Sequence, residues 1–176
     1  MNLLGSHDTD RLRSALATDK VIRSLSREEQ LALEFPEEKL KIAIEKEKMC
    51  AVVQFSIPGV PSIYYGDEQG MCGVGDPFNR APFKEERTDL HDFYAELARL
   101  RNSTAILSTG EMRVIPYSVD VLMILRYVNQ SADMFGVEAD NGAYLAVINR
   151  GDAPMRYECG AVRGTVQPLG WEIIRL

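Results

Sequence analysis

His7 and Asp8 are the first residues of the chain whose types and position could do chemistry. They follow an apolar run at residues 2–5, which fits a buried strand running into a polar loop. Parallel α/β folds place their reactive groups at such strand ends. The alternative is structural: Asp8 or Thr9 caps a short helix over residues 11–17, because both residue types are common N-caps. The local pattern leaves both interpretations open.

A metal-dependent phosphohydrolase built on a His-Asp pair is a second chemical alternative. Such a centre needs several imidazoles or carboxylates that converge on one ion. The chain has two histidines, His7 and His91, and His91 falls inside a predicted amphipathic helix. The sequence therefore predicts no metal site.

Two further strings of residues stand out, PGVPSIYYGDE at 58–68 and GDPFNR at 75–80. Taken singly, each has an ordinary interpretation. The first is a loop leading into a strand, with Asp67 and Glu68 as solvated turn acids. The second is an Asp-Pro turn in which Arg80 pairs with Asp76 at the surface. Their order and spacing along the chain carry more information than either string alone.

The elements that would position these strings alternate between strand and helix. Ser26, with a glutamate three residues later, predicts a capping box and a short helix. A second helix is predicted over 39–55 and a strand over 60–65. Thr88 is the predicted N-cap of an amphipathic helix that stops near Asn102. Two strands joined by a helical crossover would pair in parallel.

After Asn102 the pattern changes to short β-prone runs separated by turn residues. Asn141-Gly142 predicts a hairpin turn, because both residues tolerate positive φ. Strands at such spacing are typical of a small antiparallel β-sandwich. The predicted strands cover 111–118, 121–128, 143–149, 155–159, 162–167 and 171–176.

The helical half is short for the kind of fold it indicates. A buried parallel sheet needs cover on both faces, and a (β/α)₈ barrel takes about 250 residues. Only 101 residues precede the strand-rich half. The sequence therefore predicts a piece of a larger barrel.

In their order, the three strings resemble the α-amylase family of glycoside hydrolases, especially its neopullulanase and cyclomaltodextrinase-like members. Residues 2–9 resemble the motif that ends the seventh barrel strand, 58–68 the eighth strand and its exit, and 75–80 the loop that follows. The resemblance implies an α/β plus all-β chain. The last two βα units of a (β/α)₈ TIM barrel would occupy 1–101, and an antiparallel β-sandwich would occupy 102–176.

The resemblance also implies roles for four residues. Retaining glycosidases use a nucleophilic carboxylate and a general acid/base, and the family adds a third carboxylate and a histidine at the end of strand seven. By similarity, Asp8 is the transition-state carboxylate and His7 donates to a hydroxyl of the same glucose. Asp76 and Arg80 would grip the neighbouring glucose. The expected partners are thus α-glucan oligosaccharides, derived from starch, maltodextrin or cyclodextrin.

The family's nucleophile and general acid belong to strands four and five, which have no counterpart here. We therefore expect a segment of a glycoside hydrolase that is inactive by itself. The alternatives are a non-catalytic glucan-binding or assembly module and an unrelated α+β protein. The sequence departs from the family pattern at Asp10, where Pro or a small residue is common, and at Lys84-Glu85, where an aromatic residue is common.

Composition narrows the remaining possibilities. The net charge of −6, from 26 acidic and 20 basic side chains, disfavours nucleic acid. No apolar run is long enough for a membrane span. Three separate cysteines without a CxxC pair indicate reduced thiols. No signal peptide is visible, so we expect a cytoplasmic protein, with secretion left open. No cofactor is expected, since the family's calcium ligands lie mainly in earlier segments. The exposed edges of an incomplete barrel could drive homo-oligomer formation.

Overall fold

The computed structural model describes residues 1–85 and 87–176. The chain divides into two compact units. Unit 1 comprises Met1–Lys48 and Pro61–Ala95, and unit 2 comprises Met49–Val60 and Glu96–Leu176. Within the described residues, none of the helices has the length and apolar character needed to cross a membrane.

Unit 1 is built from helices around one pair of short strands. Its elements are β1 (Asn2–Leu3), α1 (Leu12–Ala17), a 3₁₀ turn (Ile22–Ser24), α2 (Arg27–Leu31), the first part of α3 (Glu37–Ser56), β2 (Pro61–Ser62), a 3₁₀ turn (Asp67–Gln69), α4 (Gly75–Phe78) and the first part of α5 (Asp89–Asn102).

The strands β1 and β2 pair in parallel, with Asn2 opposite Pro61 and Leu3 opposite Ser62. The parallel pairing expected from the sequence is thus confirmed. Both strands are shorter than predicted, because each forms a ladder with the other over only two residues.

Two of the predicted helix starts are confirmed by their hydrogen bonds. The Ser26 hydroxyl accepts from the Glu29 amide, while the Glu29 carboxylate accepts from the Ser26 amide. The Thr88 hydroxyl accepts from the His91 amide at 3.2 Å at the start of α5. The predicted cap of α1 is wrong. That helix follows Arg11, and no side chain caps it. Neither Asp8 nor Thr9 therefore serves as its cap.

Unit 2 is mainly antiparallel. It contains α6 (Ala105–Ser108), β3 (Glu111–Pro116), β4 (Val121–Val128), β5 (Gly142–Asn149), β6 (Met155–Cys159), β7 (Val162–Val166) and β8 (Gly170–Arg175). One sheet has the order β3-β4-β5-β8, and β6 pairs with β7 in a second, two-stranded sheet. The six strands lie where the β-prone runs predicted them, to within two residues at each end.

The predicted hairpin turn at Asn141-Gly142 is wrong. Gly142 is the first residue of β5 and lies opposite Val128 in the ladder. The connection between β4 and β5 is therefore the longer segment 129–141. The signal failed because Gly142 uses its conformational freedom, with φ of 157°, to enter the strand and not to turn the chain.

One hydrophobic core of unit 2 lies between its two sheets, and a second, smaller one lies around α6. Side chains alternate between the faces of a strand, so every second residue of β4 and β5 points toward the β6–β7 hairpin. The fully or almost fully buried members of this cluster are Val121, Met123, Leu145, Val147, Tyr157 and Val166.

Candidate active site

The parallel pairing of β1 and β2 determines where the candidate site residues meet. The chain leaves both strands at the same end of the pair, because the strands run in the same direction. The loop after β1 carries His7 and Asp8, and the segment after β2 carries Asp76 and Arg80. Reactive groups of parallel α/β folds lie at this C-terminal end of the strands.

The four residues form one continuous set of contacts. The Arg80 Nε lies 2.7 Å from Asp76 Oδ1, and Arg80 Nη2 lies 3.7 Å from Asp8 Oδ1. The other Asp8 oxygen, Oδ2, lies 3.2 Å from His7 Nε2. The structure therefore brings together all four residues singled out in the sequence, although they come from positions about 70 residues apart.

These side chains are open to solvent, and a ligand could reach them. The side chain of Asp8 is 72% exposed and that of Arg80 is 45% exposed. Ion pairs at such exposure contribute roughly 0–1 kcal/mol. Exchanging one of these contacts for a ligand hydroxyl would therefore cost little.

Asn79 connects the two loops through a pair of hydrogen bonds. It is fully buried, and its Nδ2 donates to the carbonyl oxygen of His7 at 2.8 Å and to that of Thr9 at 2.7 Å. On the same side of the site, the Asp10 carboxylate accepts from the Gly75 amide at 2.7 Å.

Gly73 is held where the second loop begins. Its amide donates to the Ser14 hydroxyl at 2.8 Å, and its carbonyl accepts from the Arg11 amide at 3.0 Å. A Cβ at this position would lie 2.5 Å from the Phe78 carbonyl oxygen and 2.9 Å from the Asn79 Cα. Only glycine therefore allows the loop to fold back on itself at this point.

A buried ion pair lies behind the exit of β2. The Arg11 side chain is 0% exposed and that of Asp67 is 4% exposed, with Nη1 and Oδ1 3.2 Å apart. The guanidinium also lies 4.7 and 4.8 Å from the ring centroids of Tyr64 and Tyr65. Burial raises the pKa of Asp67 to about 6, although the Arg11 guanidinium lowers it. The expectation that Asp67 is a solvated turn acid is wrong.

A second buried carboxylate belongs to Glu47. It is 0% exposed and accepts a hydrogen bond from the Tyr94 hydroxyl at 3.3 Å. Burial, assisted by the nearby Asp67 carboxylate, raises the pKa of Glu47 to about 8. The sequence held a signal for this residue: Glu47 lies four positions from both Ala43 and Ala51, which are fully buried, and residues four apart share one face of a helix.

No group of three or more potential metal ligands (His, Cys, Asp, Glu) occurs in the part of the chain that the structure describes. Within the described residues, none of the cysteines Cys50, Cys72 and Cys159 forms a disulfide. Burial raises the pKa of the Cys72 thiol, which favours its protonated, unreactive form.

Comparison with known proteins identifies the class. The family model for the catalytic domain of α-amylase matches residues 1–102, so this chain belongs to the α-amylase family. The resemblance seen in the three strings is thereby confirmed.

Relatives with curated functions agree. An amylopullulanase of Thermoanaerobacter thermohydrosulfuricus is 36% identical over 155 residues, which cover 87% of this chain and 10% of the relative. Neopullulanase 2 of Thermoactinomyces vulgaris is 35% identical over 116 residues, 64% of this chain and 16% of the relative. The chain thus spans about a tenth of the length of the amylopullulanases it matches.

Solved structures show the same fold. The cyclic α-maltosyl-(1→6)-maltose hydrolase from Arthrobacter globiformis, in complex with the cyclic sugar of its name, superposes with a TM-score of 0.72. The match covers 98% of this chain and 34% of the hydrolase at 20% identity.

Proposed function

We propose that this chain is the C-terminal segment of a retaining glycoside hydrolase that acts on α-glucans such as starch, maltodextrin or cyclodextrin. In this proposal the chain supplies the transition-state carboxylate and part of the glucan cleft. The observation that carries the proposal is the continuous contact from His7 through Asp8 to Arg80 and Asp76, at the C-terminal end of a parallel strand pair. Membership of the α-amylase family gives these contacts their chemical interpretation.

Each residue has a defined task in this proposal. Asp8 accepts hydrogen bonds from ring hydroxyls as the sugar flattens toward an oxocarbenium-like transition state. Such bonds accelerate the reaction only to the extent that they strengthen in the transition state. His7 orients a hydroxyl of the same glucose, while Asp76 and Arg80 hold the next glucose.

The fold has a matching proposal. We infer that residues 1–101 correspond to the last two βα units of the family's barrel and that 102–176 form a β-sandwich domain. The parallel β1–β2 pair supports the first part. The two antiparallel sheets that enclose one core support the second.

The proposal includes inactivity of the 176-residue chain alone, because the family's nucleophile and general acid belong to strands four and five. The experiment is release of reducing sugar from maltodextrin by the purified chain. We expect none above the level of Asp8→Asn. Sugar release that Asp8→Asn abolishes would show that the chain is a complete catalyst.

A non-catalytic glucan-binding or assembly module is the second candidate, favoured because the four-residue cluster is assembled within this chain. A ligand that binds only the folded state raises the melting temperature. We expect millimolar maltotriose to raise the melting temperature of the wild type and of the control Arg150→Gln, but not that of Arg80→Gln. Arg150 is a suitable control because it also forms an exposed ion pair, with Asp120, in unit 2. No shift in the wild type would remove this candidate.

Self-association through the open edges of β1 and β2 belongs to the same proposal. Unpaired strand edges offer backbone groups to a second copy. We expect a dimer or larger species in sedimentation velocity, and a monomer at all concentrations would contradict it.

A further inference from the structure

The contact between Asp8 and Arg80 does not explain its own geometry. Both side chains are largely exposed and lie 3.7 Å apart, and exposed pairs contribute roughly 0–1 kcal/mol. The two loops that carry them must therefore be held by other groups.

Asn79 has the chemistry for this task. One amide nitrogen directs both of its hydrogens to the carbonyl oxygens of His7 and Thr9, which flank Asp8 on either side. Asn79 is also the residue immediately before Arg80. A single buried side chain thus fixes the backbone around the carboxylate to the backbone that carries the guanidinium.

The orientation of the Asn79 amide follows from its partners. A primary amide has two donors on nitrogen and an acceptor oxygen, and the reversed orientation would place that oxygen against two carbonyls. Its Oδ1 accepts no hydrogen bond from the described residues. The group therefore acts as a donor fork toward the Asp8 loop.

Asp10 makes a second tie. Its carboxylate accepts from the amide of Gly75, the residue before Asp76, at 2.7 Å. This hydrogen bond connects the backbone that follows Thr9 to the backbone that precedes Asp76.

We propose that Asn79 and Asp10 are positioning residues. They hold Arg80 and Asp76 next to Asp8, so that the two loops form one glucan-binding surface. Asn79 sets the distance between the loops and Asp10 fixes the start of the second loop. The glucan part of this inference rests on the proposed function.

The experiment uses the full chain and four variants. Asn79→Ala removes the donor fork, and Asp10→Ala removes the acceptor. Asp10→Asn keeps a side-chain oxygen for the Gly75 amide. The control is Asn102→Ala, at an exposed asparagine at the end of α5. The NMR signals of the Asp8 amide and of the Arg80 Nε–H, which contacts Asp76 at 2.7 Å, report the geometry directly. Titration with maltotriose measures the affinity of the glucan-binding surface.

We expect Asn79→Ala to shift both NMR signals and to weaken maltotriose binding by about tenfold, because misplacement of positioning groups is costly. Asp10→Ala should shift the same signals less, and Asp10→Asn should restore them. Asn102→Ala should leave them in place. If Asn79→Ala proves unfolded, the Asp10→Ala and Asp10→Asn pair decides the question.

The proposal is overturned if Asn79→Ala or Asp10→Ala lowers the melting temperature while the Asp8 and Arg80 signals stay at their wild-type positions. That result would give both residues a purely structural role. If the wild type does not bind maltotriose, the glucan-binding function fails, and the NMR signals still test the positioning independently.

Discussion

Each unit contains a fully buried arginine, and the two are satisfied differently. In unit 2, Arg126 is 0% exposed and all three of its nitrogens donate to backbone carbonyls. Nη1 reaches Ser56 at 2.8 Å and Leu107 at 2.9 Å, Nη2 reaches Gly110 at 2.6 Å, and Nε reaches Glu111 at 3.2 Å. Burial, and the neighbouring Arg101 guanidinium, lower the pKa of Arg126 to about 10.

In unit 1, Arg11 is equally buried, but only its Nη1 is bound, to the Tyr65 carbonyl at 2.7 Å and to Asp67 at 3.2 Å. Its Nε and Nη2 have no hydrogen-bond partner within residues 1–85 and 87–176. The same holds for Glu47 Oε2 and Asn79 Oδ1.

All nitrogens of Arg126 are hydrogen-bonded, whereas Arg11 lies in a polar interior where two of its nitrogens lack hydrogen-bond partners among the described residues. An unpaired buried polar group costs roughly 1–3 kcal/mol. Unit 2 avoids that cost at Arg126 because strand and helix ends supply the carbonyls. Unit 1 has such unpaired groups at Arg11, Glu47 and Asn79. We infer that unit 1 is the less stable unit and the one whose polar interior responds to pH.

The largest effect is expected for Arg126→Met. Methionine fills similar space but leaves the carbonyls of Ser56, Leu107 and Gly110 without their donor. We expect a loss of about 3–5 kcal/mol in the free energy of unfolding, because each unpaired buried carbonyl costs roughly 1–3 kcal/mol. Urea unfolding followed by the fluorescence of Trp171, the only tryptophan and part of β8 in unit 2, measures it. A loss below about 1 kcal/mol would contradict the inference that the hydrogen bonds of Arg126 stabilise unit 2.

A smaller effect is expected when the Arg11–Asp67 pair is replaced as a whole. Arg11→Met alone leaves a buried carboxylate, which can take up a proton because its pKa is already raised to about 6. The loss should therefore be about 2–3 kcal/mol, below the roughly 3–5 kcal/mol of an uncompensated buried charge. The double variant Arg11→Met with Asp67→Leu should recover most of that loss, because it also removes groups that are unpaired in the wild type. Amide hydrogen exchange of α1 and α3 is the measurement. Equal losses in the single and double variants would show that the pair is as well satisfied as Arg126.

Glu47 tests the pH response. Its pKa is raised to about 8 from 4.5, so between these values the folded protein keeps a proton that the unfolded chain has lost. Stability therefore falls as pH rises through this window. Glu47→Gln cannot ionise and should be more stable than the wild type by about 2 kcal/mol at pH 6 and nearly equal to it at pH 4.5. Thermal unfolding at both pH values measures the difference. A variant equally destabilised at both would show that the carboxyl group is needed for packing alone.

The sequence predicted those features that depend on local signals. The six strands of unit 2 followed from alternating β-prone runs, and the starts of α2 and α5 followed from Ser26 and Thr88. The four site residues followed from strings that resemble a family, and their contacts agree with one site. The roles of those residues remain predictions.

The features that were missed depend on contacts between distant segments. Asn79 lies 72 residues from His7, and Asp67 lies 56 residues from Arg11. No local pattern indicates that an asparagine in a turn or an acid after a strand will be buried. At Gly142 a local turn signal was present, but the pairing with Val128 overrode it. Burial of polar groups is thus a tertiary property, and it is also where the two units differ.

The smallest effect is expected at the Ser26 capping box, and it shows how far a local change extends within unit 1. Both partners, Ser26 and Glu29, are exposed, so Ser26→Ala removes a cap without creating a buried unpaired group. Loss of an N-cap costs about 1 kcal/mol. Hydrogen exchange of the α2 amides should quicken accordingly. The Arg80 Nε–H signal should not move, since Asp8 and Asp76, the ion-pair partners of Arg80, both lie outside α2. Movement of that signal would mean that the site is coupled to the whole of unit 1 and is not held by Asn79 and Asp10.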